Sequence, residues 1–594
     1  MGFFGKLFHE KLRCFRSNLF QPITKTRKPI AYFRRLSSNT RDASEEEELC
    51  STFLRECARK SDSRWGRTVH AKLIKGFIPF SMYLQNFTLN MYVKGGKVDD
   101  GLRLFDEMPH RNVVSFSALI AGLVQWGFPG EALSIFNFMH RDGTVGMNEF
   151  TLVSALQACS LISCRSFCYQ IYALIVRLGL ECNVYLVNAF LTGLIRQGKF
   201  KEALEVFEKC NNKDTVSWNT MLAGHLQDPY LDLPGFWYRM ICCEEVKPDN
   251  FTFASVLTGL AVIPDLKMGL QVHGQLLKSG YGSEKCVGNS LADMYIKNQR
   301  LVEGFKVFDE MMWRDVCSWT LIAAGCLQCG EPGRALEVIG EMREMGVKPN
   351  KFTLATALNA CANLASMEEG KKVHGLKVKL GNEVDLCVDN ALLDMYAKCG
   401  CMEGAWIIFR SMRTRSVVTW TTMIMACAQN GQARDAIEVF EEMRMEDVEP
   451  NNITFICVLY ACSQGGFVEK GRYYFSSMSS DYGISPTEDH YVCMVNLLGR
   501  AGHIKDAEEL ILSMPFQAGV LAWQTLLGAC QLHGDVETGK RAAEHAIDLD
   551  KKDPSTYVLL SNMLAVSNNW DKVGVLRELM ETRDVQKTPG SSWI

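Results

Sequence analysis

The feature that most constrains this chain is an internal period of about 101 residues. Polar residues recur at equivalent places in successive periods, at steps of 101 or 102 residues. One series is Asn86, Asn188, Asn289 and Asn390, and a second is Ser117, Asn219, Thr320 and Thr421. Each period divides into repeats of 31, 35 and 35 residues. Repeats of this length are typical of solenoids, in which a repeat packs only against its neighbours.

Each repeat is predicted to be a helical hairpin. In residues 417–451, the first helix is predicted from apolar residues at helical spacing: Trp420, Met423, Ile424 and Ala428. The second helix is predicted in the same way from Ala436, Ile437, Phe440 and Met443. Asn430-Gly431 separates the two helices. A single hairpin leaves an apolar face uncovered, so copies must stack on both sides of it.

Fourteen repeats follow one another from residue 47 to residue 519. They are predicted to begin at Glu47, Met82, Val113, Glu149, Val184, Thr215, Asn250, Lys285, Val316, Lys351, Leu386, Val417, Asn452 and Glu488. Residues 520–553 and 554–594 are expected to form two further hairpins of different sequence. The predicted fold is an all-α, right-handed superhelical solenoid of about 14 helix-turn-helix repeats plus two C-terminal helical hairpins.

Basic residues are concentrated at the N-terminus. Residues 1–41 contain ten Lys and Arg side chains and one acidic residue, Glu10, although the whole chain has a net charge of −3. A basic, acid-poor start is typical of an organellar transit peptide, to which we assign residues 1–42. Arg34-Arg35-Leu36-Ser37-Ser38 resembles a mitochondrial processing site, which favours a mitochondrion over a chloroplast. A basic tail without a targeting role is the alternative. The rest of the chain is mildly acidic, which disfavours indiscriminate nucleic-acid binding.

No metal, cofactor or membrane partner is expected. The sequence has no run of about 18 apolar residues that would predict a membrane span. Cys326 and Cys329 form a CxxC pair without a second ligand pair. His70, His273 and His374 recur in register, but they lie too far apart along a solenoid to share an ion. The 23 cysteines are therefore interpreted as reduced core residues.

The repeats resemble pentatricopeptide repeats of the plant organellar kind, which alternate in long, short and standard forms. The resemblance is carried by NALLDMYAKCGCMEGAWIIF (390–409), VVTWTTMIMACAQNG (417–431) and LNACANL…GKKVHG (358–364 and 370–375). The short repeats here have 31 residues; a standard repeat follows each short one, and a long repeat precedes it. Residues 521–549 and 557–594 resemble the family's E extension. The resemblance implies a PLS-type repeat array over 43–519 and an E-type extension over 520–594.

The resemblance also implies that the fifth and last residues of a repeat read one RNA base. In short and standard repeats these positions pair as Asn86/Asn112, Ser117/Asn148, Asn188/Asp214, Asn219/Asp249, Asn289/Asp315, Thr320/Asn350, Asn390/Ser416 and Thr421/Asn451. The long repeats have Ser51, Val153, Ala254 and Ala355 at the fifth position. The alternative is that the polar residues only cap helix starts. Capping leaves their dependence on repeat type unexplained.

The family's recognition code, carried over pair by pair, implies the RNA tract Y-A-n-U-U-n-U-A-n-C-A from 5′ to 3′, where n faces a long repeat.

A further series of recurring residues is basic. The thirteenth residue of the short repeats and of the last repeat is Lys94, Arg196, Lys297, Lys398 or Arg500. We expect these side chains to contact successive phosphates. Complementing the negative end of their own helices is a compatible alternative.

The chain is not predicted to be an enzyme. Cytidine deaminase chemistry requires H-x-E followed by P-C-x-x-C, and this sequence contains no H-x-E. The resemblance implies a sequence-specific binder of single-stranded RNA that marks a cytidine for C-to-U editing. A DYW-type deaminase or other editing factors would be recruited in trans through residues 520–594. An organellar splicing or stability factor is one alternative, and a tetratricopeptide-like scaffold for proteins is another.

Three places depart from the repeat pattern. Pro229 and Pro234 stand where a second helix should begin, which predicts that this helix is shortened or shifted. Cys168 stands where the other long repeats have glycine, which predicts looser helix packing there. Ile456 and Val492 occupy the fifth position of the last two repeats. Those repeats are expected to hold RNA without reading it.

Overall fold

The computed structural model describes residues 43–585, except 76–79, 163, 227–231, 244–245, 382–384, 568 and 584. These residues form 32 α-helices and one 3-10 turn, and no strand occurs among them. The all-α prediction is therefore confirmed. None of the 32 helices combines the length and apolar character that a membrane crossing requires. The predicted transit peptide (1–42) and residues 586–594 lie outside the described residues.

The described residues divide into two compact halves, with the boundary between Asn298 and Gln299. The first half contains α1 (Ala43–Arg59), α2 (Ser63–Ile74), α3 (Met82–Lys94), α4 (Val98–Glu107), α5 (Val113–Gln125), α6 (Pro129–Asp142), α7 (Glu149–Ile162), α8 (Arg165–Arg177), α9 (Val184–Arg196), α10 (Phe200–Lys209), α11 (Thr215–His225), α12 (Leu233–Ile241), α13 (Asn250–Val262), α14 (Leu266–Ser279) and α15 (Lys285–Lys297).

The second half contains α16 (Leu301–Glu310), α17 (Val316–Gln328), α18 (Pro332–Glu344), α19 (Lys351–Asn363), α20 (Met367–Lys379), α21 (Leu386–Lys398), α22 (Met402–Ser411), α23 (Val417–Gln429), α24 (Ala433–Met445), α25 (Asn452–Gly465), α26 (Val468–Ser480), α27 (Glu488–Arg500), α28 (Ile504–Leu512), α29 (Val520–His533), α30 (Val536–Leu549), α31 (Pro554–Val566) and α32 (Trp570–Thr582). Odd-numbered helices are the first helices of the hairpins. From Met82 to Glu488, each begins at the residue predicted from the repeat pattern, whereas α1 begins at Ala43 instead of Glu47.

Within each half the hairpins stack in chain order. A first helix packs against the second helix of its own hairpin and against the first helices before and after it. In residues 417–451, every apolar residue predicted to face the core is buried. Gly431, which separates α23 from α24, has a φ of +76°, a conformation that glycine adopts without strain. The core therefore continues from one hairpin into the next, as a solenoid requires.

The short repeats have fewer residues because their second helices are shorter. Helices α4, α10, α16 and α22 have ten residues, whereas α6, α18 and α24 have 13 or 14. An arginine closes three of the short repeats by donating to a phenylalanine carbonyl near the end of the second helix. The N···O distances are 2.9 Å for Arg111–Phe105, 2.9 Å for Arg314–Phe308 and 3.1 Å for Arg415–Phe409. Each guanidinium also lies over the ring of the same phenylalanine.

The recurring histidines join each long repeat to the short repeat that follows. The Nδ1-to-hydroxyl distances are 2.9 Å for His70–Tyr92, 2.7 Å for His273–Tyr295 and 2.9 Å for His374–Tyr396. Burial lowers the pKa of His70 and of His374, which favours the neutral ring. Where Tyr172 replaces histidine, it stacks on Phe190 at a centroid distance of 4.1 Å. The described residues contain no His, Cys, Asp or Glu cluster able to hold a metal ion.

The same interface explains the unusual Cys168. In the other long repeats, a glycine faces a methionine of the next first helix, and a Cβ atom would overlap the methionine sulfur in Gly66/Met91, Gly269/Met294 and Gly370/Met395. Opposite Cys168, the methionine is replaced by Gly193, whose added Cβ would lie 3.2 Å from the Cys168 sulfur. Cys168 is fully buried. The prediction of looser packing was wrong, because the small residue of this pair is Gly193, which lies on the opposite helix.

Helix α12 bears out the prediction for a shortened second helix. It has nine residues, and Pro234 lies in its first turn, where the missing N–H has no partner to lose. Pro229 lies outside the described residues.

Exchanging the sizes of residues 168 and 193 tests this account. Gly193→Met is expected to destabilise the fold by about 1–3 kcal/mol, because the new side chain overpacks against Cys168. Cys168→Gly is expected to destabilise it by about 1 kcal/mol or more through lost packing and helix propensity. The double variant restores the usual pair and should recover most of both losses. Thermal unfolding of the four proteins, followed by circular dichroism, measures this coupling.

Gly269→Cys supplies the control, because it introduces the cysteine opposite an intact methionine and should be destabilising. Additive effects of the substitutions at 168 and 193 would contradict the compensation.

Candidate nucleic-acid interface

The last residue of a repeat determines where the next first helix begins. In all eight short and standard repeats, a side-chain oxygen of this residue accepts a backbone N–H from the first turn of the next helix. The capping residues are Asn112, Asn148, Asp214, Asp249, Asp315, Asn350, Ser416 and Asn451. Ser81, Asn183 and Asp385 cap three of the four helices that follow long repeats, whereas Glu284 makes no side-chain cap bond to α15. The capping interpretation of the last residue is therefore correct, but caps are not confined to the short and standard repeats.

The fifth residue reaches the same oxygen from the preceding first helix. The Asn188 amide donates to Asp214 Oδ1 at 3.1 Å, and the Asn219 amide donates to Asp249 Oδ1 at 3.1 Å. Asn86 donates to Asn112 Oδ1 at 3.3 Å. The structure thus brings together side chains that lie 26 or 30 residues apart in the sequence. None of these fifth residues caps a helix, so capping does not account for them.

A third side chain completes the group, and sequence analysis missed it. The third residue of the next first helix is a buried serine or threonine whose hydroxyl bonds to the capping oxygen, as in Ser217–Asp214 at 2.8 Å. Where the fifth residue is a hydroxyl, this third residue bridges the pair. Thr320 lies 2.7 Å from Thr353, which donates to Asn350 at 3.0 Å. The regular recurrence of this third residue in the sequence could have revealed its role. At steps of 101 or 102 residues the sequence has Ser115, Ser217, Ser318 and Thr419, and likewise Thr151, Thr252, Thr353 and Thr454.

Two further pairs follow the same plan with variations. Ser117 donates to Asn148 at 3.2 Å and contacts the Thr151 hydroxyl at 2.7 Å. The Thr421 hydroxyl lies 2.9 Å from Thr454, which donates to Asn451 at 3.0 Å. The Ser416 hydroxyl lies 3.2 Å from the Thr419 hydroxyl. Asn289 belongs to the first half of the chain, and Asp315 belongs to the second half, where it caps α17.

The short repeats share an unusual polar atom. The side-chain oxygens of Asn86, Asn188, Asn289 and Asn390 are buried and have no hydrogen-bond partner among the described residues. An unpaired buried acceptor costs about 1–3 kcal/mol. Its recurrence at the fifth position of four repeats indicates a role other than stability.

The Asp214 carboxylate favours the charged form. Burial acts to raise the pKa of Asp214, but hydrogen bonds from the Ser217 backbone N–H and the Asn188 amide lower it more, and the net shift is downward. An ionised carboxylate accepts hydrogen bonds and donates none. Asp214 therefore offers acceptors to any group placed against this face.

Exposed apolar side chains lie beside the polar groups, and sequence analysis did not identify them. The second residue of most first helices is apolar and exposed: Tyr83, Val114, Phe150, Tyr185, Val216, Phe251, Phe352, Val418, Ile453 and Leu521. Phe150 and Tyr185 expose 73% and 75% of their surface. Such a row is suited to flat, stacked ligands. The second position was missed because an apolar residue in a helix pattern is ordinarily taken for core.

The basic row lies on the same face. Lys94, Arg196, Lys297, Lys398 and Arg500 are the last residues of α3, α9, α15, α21 and α27, and all are exposed. They follow the second residue by 11 positions, which is about three helical turns. Arg500 donates to Gln464 of the preceding repeat at 3.0 Å, and Lys398 pairs with Asp394 at 2.9 Å. Their place at helix C-termini is compatible with both interpretations of the row.

Family comparisons agree with the repeat pattern. The PPR repeat model matches residues 86–113, 114–144, 289–316, 390–417 and 489–515. The PPR repeat family model matches 314–363 and 415–464, and the pentatricopeptide repeat domain model matches 170–216. The E motif model matches residues 533–594.

Curated relatives extend over most of the chain. One pentatricopeptide repeat-containing protein of Arabidopsis thaliana is 35% identical over 532 residues, which cover 89% of this chain and 53% of the relative. A mitochondrial one is 34% identical and covers 93% of this chain and 63% of the relative. A third, also from Arabidopsis thaliana, is 34% identical and covers 91% of this chain and 79% of the relative. The chain thus spans between half and two-thirds of the length of the first two relatives.

Solved structures share the fold. The crystal structure of the pentatricopeptide repeat protein PPR10 from maize has a TM-score of 0.55 at 17% identity and covers 92% of this chain and 85% of that one. PPR10 in complex with an 18-nt psaJ RNA element has a TM-score of 0.51 at 16% identity, with 94% and 91% coverage. From its repeats, its E motif and these relatives, the chain belongs to the pentatricopeptide repeat family.

Proposed function

We propose that this chain binds single-stranded RNA sequence-specifically and marks a cytidine for C-to-U editing of an organellar transcript. The observation that carries the proposal is that the fifth residue of a repeat donates to the capping oxygen of the last residue, as Asn86, Asn188 and Asn219 do. The eight fifth-and-last pairs recur in register in the sequence, and each pair supplies polar atoms suited to the edge of an unstacked base. The fold relative PPR10 forms a complex with an RNA element.

Three sets of side chains contribute to RNA binding in different ways. The fifth and last residues read base edges, and each good contact contributes about 1–3 kcal/mol of discrimination, by analogy with DNA readout. The exposed second residues stack on bases without regard to sequence. The basic row at Lys94, Arg196, Lys297, Lys398 and Arg500 contacts phosphates. The long repeats, with Val153, Ala254 and Ala355 at the fifth position, pass over a nucleotide without reading it.

Editing is proposed over other RNA roles because of the E motif and the alternating repeat lengths. In this proposal residues 520–594 recruit a DYW-type deaminase or other editing factors in trans, and the chain itself performs no catalysis. The edited cytidine lies about four nucleotides beyond the base facing 488–519, as the family resemblance implies. We place the protein in a mitochondrion because residues 34–38 resemble a mitochondrial processing site. A chloroplast is the alternative, since one relative is named mitochondrial and another chloroplastic.

Recoding one reading pair tests the base-by-base proposal. Asn188→Thr with Asp214→Asn gives the pair that the chain already has at Thr320/Asn350. The preferred base at that nucleotide should change from U to A by about tenfold, since a new amide donor can pair with the adenine ring nitrogen. Dissociation constants for strands that differ only there measure the change. Asp265→Asn is the control, because Asp265 only caps α14. An unchanged base preference would contradict the assignment.

Neutralising one basic residue tests the phosphate row. Lys398→Gln introduces the residue that standard repeats have at the same position, as in Gln429. Affinity should fall equally for matched and scrambled strands, and the slope of log K against log salt should decrease by about 0.7. Lys371→Gln, on the second helix α20, should leave the slope unchanged. Binding that depends on neither salt nor sequence would favour a protein scaffold.

Loss of the chain in a plant tests the editing role. One organellar cytidine that follows a tract matching Y-A-n-U-U-n-U-A-n-C-A should remain unedited, as measured by sequencing of complementary DNA. The wild-type chain should restore editing, and the Asn188→Thr, Asp214→Asn variant should not, because its target base has changed. Normal editing accompanied by unspliced or shortened transcripts would favour a splicing or stability role.

A further inference from the structure

The first hairpin after the repeat array carries a group that matches the reading pairs. Gln524 is the fifth residue of α29, and Asp553 is the residue before α31. The Gln524 amide donates to the Asp553 carboxylate and to the Thr556 hydroxyl at 2.9 Å. Thr556 is buried, and its backbone N–H and hydroxyl donate to Asp553 Oδ2 at 3.3 Å and 3.1 Å. Asn188, Asp214 and Ser217 are arranged in the same way.

Stability alone does not require this group. Asp553 caps α31 through Ser555 and Thr556, and Gln524 adds nothing to that cap. The two preceding repeats have Ile456 and Val492 at the fifth position, and the last hairpin has Val558. A polar fifth residue therefore returns at one hairpin after two apolar ones. Leu521, the second residue of α29, is exposed as in the reading repeats.

We propose that Gln524 and Asp553 read one further nucleotide, a uracil or a guanine. The Asp553 carboxylate accepts hydrogen bonds and donates none, and the donors of the Gln524 amide are directed at Asp553 and Thr556. A base whose ring nitrogen faces the Asp553 carboxylate must donate from that nitrogen. Uracil and guanine have a ring N–H on the Watson–Crick edge, whereas cytosine and adenine have a ring acceptor at the equivalent place.

The charge of Asp553 supports this preference. Burial acts to raise its pKa, but hydrogen bonds from the Ser555 backbone N–H and from Thr556 lower it more, and the net shift is downward. The carboxylate is thus held in its accepting form.

The position of the nucleotide follows from one base per repeat and rests on the proposed function. Two non-reading repeats, 452–487 and 488–519, separate Gln524 from the adenine facing 417–451. The extended tract is Y-A-n-U-U-n-U-A-n-C-A-n-n-(U/G). With the edited cytidine about four nucleotides beyond the base facing 488–519, the new base lies about three nucleotides before it. The extension would then help to position the cytidine as well as recruit a partner.

Binding of the full chain to four strands tests the proposal. The strands carry the whole tract and differ only at its last base, and a scrambled strand is added. Wild type should bind the U and G strands about tenfold more tightly than the C and A strands, as one base contact allows. Asp553→Asn keeps a capping side chain and adds an amide donor, so its preference should move to C or A. Asp535→Asn, at the cap of α30, should retain the wild-type preference.

The remaining outcomes separate the two proposals. Equal affinity of wild type for the four strands, with the scrambled strand still bound weakly, would overturn the role of Gln524 and Asp553 and leave the proposed function standing. Equal binding to the scrambled strand would overturn both. If Asp553→Asn unfolds, Gln524→Leu provides the test, since the cap is intact. Discrimination among the four strands should then disappear, and its persistence would overturn the proposal.

Discussion

One capping oxygen per repeat is the contact on which both the stack and the candidate site depend. Asp214 Oδ1 accepts from the Ser217 N–H, from the Ser217 hydroxyl and from the Asn188 amide, at 2.8, 2.8 and 3.1 Å. The cap determines where the next first helix begins and so sets the register between repeats. Loss of such a cap costs about 1 kcal/mol. Asn, Asp, Ser and Thr are the residues that cap well, and they are also the residues able to read a base edge.

Nearest-neighbour packing lets the solenoid vary without losing its register. A short repeat loses residues from the second helix, and Arg111, Arg314 and Arg415 close the shortened end by bonding to the phenylalanine carbonyl. At the interface of Cys168, the opposite helix has Gly193 in place of methionine, and the contact stays filled. Such changes remain local because each hairpin packs only on its neighbours. The first helices, which carry the candidate site, therefore keep 13 or 14 residues in all repeats except those of α1 and α11.

Much of the candidate site follows from repeat register, but some of it was not recognised. The fifth and last positions, such as Asn188 and Asp214, stand out because their polarity depends on repeat type. The third-position hydroxyls, such as Ser217, recur as regularly, yet a small hydroxyl near a helix start has no distinctive pattern of its own. The exposed second residues, such as Phe150, were missed because apolar periodicity indicates a helix face without saying whether another helix covers it. Gln524 and Asp553 lie outside the array of fourteen repeats, in a hairpin of different sequence.

The sequence by itself determined the period, the number of hairpins, the starts of the first helices from Met82 onward and the alternation of polar and apolar fifth residues. These depend on local spacing, on breakers such as Gly431 and on caps such as Asn451, which act over a few residues. Only the tertiary structure decided which side chains share an oxygen. The Asn188–Asp214 and Gln524–Asp553 contacts join residues 26 and 29 positions apart. Their formation depends on how closely successive first helices pack, which no pattern within a single helix specifies.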